Sequence, residues 1–144
     1  MKSVPQVLFR CLFALLLVCA AAPAAWAQAT PKTRVVFQVS DADPAKWNLT
    51  LNNVKNVQAD LGAQNVEIEV VAYGPGIGFL KLESVAGERV REVLGHGVSV
   101  AACENTMHNQ KLTKQDMLPG ISYVPAGVVE LIKRQQQGWA YIRP

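Results

Sequence analysis

Apolar runs and amphipathic stretches alternate along the chain from about residue 33 onward. Arg34-Val35-Val36-Phe37-Gln38-Val39 is β-branched and aromatic, the pattern of a buried strand. Ser40-Asp41-Ala42-Asp43-Pro44 breaks it with turn and capping residues. From Ala45 to Leu61, the apolar residues Trp47, Leu51, Val54 and Leu61 recur at helical spacing, with Asn52, Asn53 and Asn56 off that stripe. Gly62 ends the predicted helix. Val66 to Tyr73 begins by alternating and ends fully apolar, which predicts a central strand; Gly74 to Gly78 is a loop. Ser84 to Leu94 predicts a helix with Val85, Ala86, Val90, Val93 and Leu94 inward, closed by Gly95-His96-Gly97. Val98 to Ala102 predicts a third strand with Cys103 at its C-terminal end. A polar segment with a short helix runs to Leu118, Pro119-Gly120 turns the chain, and Ile121 to Val124 is a fourth short strand. Pro125 opens a helix to Gln137, and Trp139 to Ile142 is a last strand.

Strands that alternate with helices in this way predict an α/β; three-layer α/β/α domain with a mostly parallel sheet of about five strands. Binding residues in such sheets gather beyond the C-terminal ends of the strands. Three segments meet that description: Ser40 to Pro44, Gly74 to Gly78, and Cys103 to His108.

The first residues follow a different rule. Lys2 and Arg10 supply positive charge, Cys11 to Ala22 is an apolar run, and Ala25-Trp26-Ala27 places small residues where signal peptidase reads them. Residues 1–27 therefore read as a cleavable signal peptide, with cleavage after Ala29 as the alternative site. The apolar run is shorter than the ~20 residues that span a bilayer, and no second such run follows. Leu16-Leu17-Val18-Cys19 loosely resembles a lipid-attachment site, which makes a lipoprotein the competing reading. The expected working form is a single domain, residues 28–144, periplasmic or secreted and free of the membrane after cleavage.

Export changes both the charge and the cysteine count. Of 14 basic residues, Lys2 and Arg10 leave with the leader, so 12 face the 11 acidic ones. No basic stripe remains, and nucleic acid is not expected as a partner. Cys11 and Cys19 leave as well, so Cys103 stays as a lone thiol in an oxidising compartment, where it must be buried, modified, paired with another chain or chemically employed.

Cys103 leaves a strand and enters Glu104-Asn105-Thr106-Met107, a helix start whose free N–H groups favour a thiolate. The adjacent Glu104 opposes it. His108, five residues on, is a candidate base or hydrogen-bond donor, with a solvated loop histidine as the plainer alternative. His96, between two glycines, reads as an exposed turn residue. One thiol and two histidines lack the paired spacing of a zinc site, so no metal is expected. Gly74-Pro75-Gly76-Ile77-Gly78 lacks the lysine and hydroxyl of a phosphate loop and reads as a tight turn near the cysteine. Asn48-Leu49-Thr50 is a glycosylation sequon inside a predicted helix and is discounted. No Ser/His/Asp arrangement or close carboxylate pair stands out.

Several modest motifs resemble one family. They are Gly97-Val98-Ser99-Val100-Ala101-Ala102-Cys103-Glu104-Asn105-Thr106-Met107, then Leu118-Pro119-Gly120-Ile121, Val124-Pro125-Ala126-Gly127-Val128 and Gly138-Trp139-Ala140-Tyr141-Ile142. In order and spacing these resemble the DsrE/DsrF-like family over nearly all of the mature chain. The resemblance implies a three-layer α/β/α fold and assembly into a homotrimer or larger ring. In the sulfur-relay members a cysteine after the third strand takes up sulfur as a persulfide and hands it on; Cys103 is the matching position. Those members usually follow the cysteine with an arginine pair and a glycine, where this chain has Met107, His108 and Asn109.

Two functions are expected from this reading. In the first, the chain is an exported sulfurtransferase-like carrier of sulfane sulfur on Cys103. Asn105, Thr106 and nearby amides would hold the terminal sulfur, His108 would move protons, and a thiol-bearing protein would be donor or acceptor. This chemistry needs no metal or organic cofactor. In the second, the chain is a non-catalytic oligomeric module that binds a small ligand or a protein, with Cys103 as packing.

Overall fold

The computed structural model describes residues 31–144, so the expected leader lies outside the described residues. Five strands form one parallel sheet in the order β4-β3-β2-β1-β5. They are β1 (Thr33–Val39), β2 (Val66–Ala72), β3 (Ser99–Cys103), β4 (Ser122–Val124) and β5 (Ala140–Ile142). The helices are α1 (Pro44–Leu61), α2 (Gly87–Gly95), α3 (Glu104–Asn109) and α4 (Gly127–Gln136). They lie on both sides of the sheet, as the alternating pattern predicts; the sheet is wholly rather than mostly parallel.

The winding explains the layers. The chain steps one strand sideways from β1 to β4, and these crossovers carry α1 and α2 over one face. It then returns past three strands to place β5 beside β1, and that crossover carries α4 over the opposite face. The first face holds the larger core, with Phe37, Val70, Val100, Leu51, Val54 and Val90. The second is thinner: Val36, Val71 and Ala101 of the sheet meet Leu131 of α4 and Trp139.

Local chemistry sets the element ends. The Asp43 carboxylate accepts the Ala45 N–H at 2.8 Å and Pro44 occupies the first turn, so α1 starts there. Gly62 ends it at φ 83°, a conformation costly for other residues.

Three local expectations are corrected. The segment read as a loop with a tight turn over Gly74 to Gly78 is a 3-10 helix, Gly74–Leu80, tied down by its buried Ile77, Phe79 and Leu80. Pro125 stands before α4 rather than in its first turn, because its carbonyl accepts the Asn105 N–H. Val85 is 78% exposed; α2 begins only at Gly87, so Val85 never joins the inward stripe. Leu51→Ala should therefore cost about 2–5 kcal/mol of stability. Val85→Ala should stay within about 0.5 kcal/mol. Equilibrium urea unfolding checks both, and a large loss at Val85 would contradict this packing.

Candidate functional site

The C-terminal ends of the strands meet as the fold requires. The Tyr73 N–H donates to the Val39 carbonyl and the Gly76 N–H to the Ser40 carbonyl, both at 3.1 Å, so the segments after β1 and β2 lie together. The Gly74 N–H donates to Thr106 Oγ1 at 2.9 Å, which ties the segment after β2 to α3. The Asn105 N–H donates to the Pro125 carbonyl at 3.1 Å and brings in the segment after β4.

Cys103 sits among these segments, as the last residue of β3 and the N-cap of α3, only 4% exposed. Burial pushes its thiol pKa up. Against this act the Thr106 hydroxyl and the backbone N–H groups of Gly127, Thr106 and Asn105, and they hold the thiol below its ordinary value. The Thr106 hydroxyl is well set for this. Its oxygen already accepts the Gly74 N–H, so its own hydrogen is free to point at Sγ. The Asn105 N–H donates to the Pro125 carbonyl, and the Cys103 side chain makes no cap hydrogen bond at the start of α3.

The contribution of Gly127 depends on its missing side chain. A Cβ there would stand 2.9 Å from Tyr73 Cβ and 3.0 Å from Tyr73 Cδ1, so only glycine lets the first turn of α4 approach. Tyr73 in turn senses Cys103: burial first, then the charges of Tyr141, Asp41 and Cys103, raise its phenol pKa, against Arg143, which lowers it. Its hydroxyl therefore stays protonated through the neutral range.

Residues 33–144 match the model of the DsrE/DsrF-like family. The chain belongs to the DsrE/DsrF-like family. Among solved structures it is similar to MTH1491, a protein of unknown function from Methanobacterium thermoautotrophicum. That match has a TM-score of 0.75 at 41% identity and covers 78% of this chain and 100% of that one. BT1422, a conserved protein of unknown function from Bacteroides thetaiotaomicron, matches with a TM-score of 0.64 at 12% identity, over 77% of this chain and 94% of that one. The ychN protein from E. coli gives 0.61 at 10% identity, over 80% and 100%. These last two share the fold alone. No curated protein matches the chain.

Within this DsrE/DsrF-like domain, the residues singled out from sequence divide in two. Asn105 and Thr106 reach Cys103, and Gly74 reaches it through Thr106. Gly76 packs instead against the end of β1. His108 is exposed on α3, in a shallow groove of about 240 Å³ lined with Glu104, Met107, Leu112, Thr113 and Lys114, and is not among the groups acting on the thiol. The Glu104 carboxylate, beside Cys103 in the chain, lies 4.0 Å from Lys114 Nζ on the exposed side of α3. Among the described residues, no group of three or more His, Cys, Asp or Glu is placed to hold a metal ion. Gly127 and Tyr73 were missed. The segment after β4 obeys the same strand-end rule as the other three, and applying that rule there finds Gly127.

Thr106→Val should raise the midpoint of Cys103 alkylation against pH by about one unit, since a hydrogen bond to a charged group is worth roughly 1.5–3 kcal/mol. Thr106→Ser should leave it in place. An unmoved midpoint in Thr106→Val would remove the hydroxyl from the set of donors.

Proposed function

We propose that this DsrE/DsrF-like protein is an exported sulfur carrier that holds sulfane sulfur as a persulfide on Cys103. The observation that carries the reading is the place of Cys103: a buried thiol at the end of β3 and the start of α3, held below its ordinary pKa by the Thr106 hydroxyl and the backbone N–H groups of Gly127, Thr106 and Asn105 against the effect of burial. Fixed donors of this kind stabilise a thiolate, and the thiolate is the form that attacks sulfur.

The step balances without a cofactor. The Cys103 thiolate attacks the outer sulfur of a donor persulfide, R–S–S–H. A new S–S bond forms on Sγ, the donor S–S bond breaks, and the donor leaves as R–S⁻. Cys103 then carries –S–S–H. An acceptor thiolate attacks the terminal sulfur in the same way and releases the Cys103 thiolate. No electrons are gained or lost overall, and the partner sets the direction. The cargo is one atom, which suits a sulfur so nearly covered. Asn105 and Thr106 would steady it, and His108, out in its groove, would serve the incoming partner rather than the thiol.

Two further parts belong to this reading. The leader pattern of residues 1–27 supports a periplasmic or secreted location. The outer face of α4, with Val128 53%, Val129 43% and Ile132 48% exposed, suits self-association into a trimer or larger ring. The burial of Cys103 favours a second reading, a binding module with a structural thiol.

Mass spectrometry of the protein from its own compartment, then incubated with a polysulfide, tests these together. The chain should begin at Gln28 or Thr30, its native mass should be a multiple of the protomer, and the Cys103 peptide should gain about 32 Da, one sulfur atom, removable by a small thiol. The adduct should be absent in Cys103→Ser. No adduct from any donor, with a native thiol that resists alkylation, would leave the binding module as the better reading.

A further inference from the structure

The α4 helix begins beside the thiol, because Cys103 pairs in register with Val124 and the Asn105 N–H holds the Pro125 carbonyl, yet the helix rests on the sheet through very little. Its sheet-facing residues are Gly127, Leu131 and Arg134, spaced by four and three. On the facing strand β2, Glu69 and Val71 share one face, and Tyr73, just past the strand's end, continues the row at the same spacing of two. The two rows match in antiparallel order. Gly127 lies against Tyr73, and Leu131 joins the cluster that holds Val71. Arg134 Nε and Nη2 donate to Glu69 Oε2 and Oε1 at 2.6 and 3.2 Å. The first rung has no side chain on the helix side and the second has one leucine. The third is a two-pronged ion pair whose carboxylate is 3% exposed.

The third rung is also the most heavily determined. Arg134 Nε meets Glu130 Oε1 at 2.8 Å, and the guanidinium stacks 4.6 Å from the Trp139 ring centroid, so its direction is set from β2, from its own helix and from the residue that precedes β5. The charged groups facing Glu69 are Arg134 and Glu130 of α4 and Glu67 of its own strand. Arg134 lies about 10 Å along the helix from Gly127, with Leu131 between them as the pivot. A helix is stiff over that length. Displacement at the Arg134 end therefore appears at Gly127, where hydrogen-bond strength falls steeply with distance and angle.

We infer that the Glu69–Arg134 ion pair is the positioning device for Cys103: it seats α4 so that the Gly127 N–H stays beside Sγ, and thereby sets the reactivity of a thiol at the other end of the helix. Glu69 and Arg134 touch neither the thiol nor its cargo. The inference rests on Cys103 being a nucleophile, and not on sulfur being what it carries.

The test is the rate of iodoacetamide alkylation of Cys103 against pH, in the wild-type protein, Glu69→Gln and Arg134→Lys, with circular dichroism and thermal melts to verify folding. Glu69→Gln keeps the shape and removes the charge. Its midpoint should rise by about one unit, a roughly tenfold smaller thiolate fraction below both midpoints. Arg134→Lys keeps the charge and loses the fork, so a smaller rise is expected. Should Glu69→Gln fail to fold, Arg134→Lys carries the same readout. A pair that only stabilised the fold would leave the midpoint in place and speed alkylation at every pH by exposing the thiol; that result overturns the inference, as does an unchanged profile. A wild-type thiol that titrates like a free one sinks both this inference and the carrier reading. A low wild-type midpoint shared by folded variants sinks the inference alone.

Discussion

The return crossover from β4 to β5 is the constraint on which the rest depends. A sheet wound steadily in one direction covers one face with its connecting helices and leaves the other bare. Here the chain covers the second face on the way back, and α4 is the helix that packs there against Val36, Val71 and Ala101. From that one placement follow the first turn of α4 beside Cys103, the buried carboxylate of Glu69 under Arg134, and the aliphatic stripe left on the outside. A thin layer is adaptable, and the charge pair gives it a unique seat that one leucine would not. Buried ion pairs are weak sources of stability; what the fork from Arg134 Nε and Nη2 adds here is a directional contact to Glu69.

The site follows from how parallel strands end. Each strand finishes at the same edge, where chain turns leave N–H groups without strand partners. Cys103 lies in the middle of that edge, with β2 on one side and β4 on the other, so donors reach it from its own helix start and from across the edge. No metal or distant charge is required to depress such a thiol. Short, fixed dipoles suffice where water is excluded, because the same low polarity that penalises an isolated charge strengthens each hydrogen bond to it. Burial and donors thus pull in opposite directions on one sulfur, and the donors prevail.

Much of this was legible in the sequence. The alternation of β-branched runs with helical stripes was strong enough to place all five strands and the order of the layers, because each run is buried by the fold that its pattern implies. Asp43-Pro44 and Gly62 marked the ends of α1 by chemistry that acts locally. Cys103 was recognised by its place at a strand end and by its motif. What was not legible depends on contacts between distant segments. Gly127 matters through a main-chain group, and its only sequence trace is the absence of a side chain. Glu104 looks adverse beside Cys103, yet the helix turns its carboxylate outward. His108 sits at a tempting spacing, but the α3 backbone carries it to the solvent side. Val85 fits the apolar rhythm and fails because α2 begins after it.

The central claim is that the donors around Sγ outweigh its burial. Its most direct measurement is the ultraviolet absorbance of the thiolate as the wild-type protein is titrated, with Cys103→Ser subtracted to remove the tyrosines. A single transition with its midpoint clearly below the ~8.5 of a free cysteine is expected. A midpoint above that value would mean that burial prevails, and would contradict the reading of Cys103 as a prepared nucleophile.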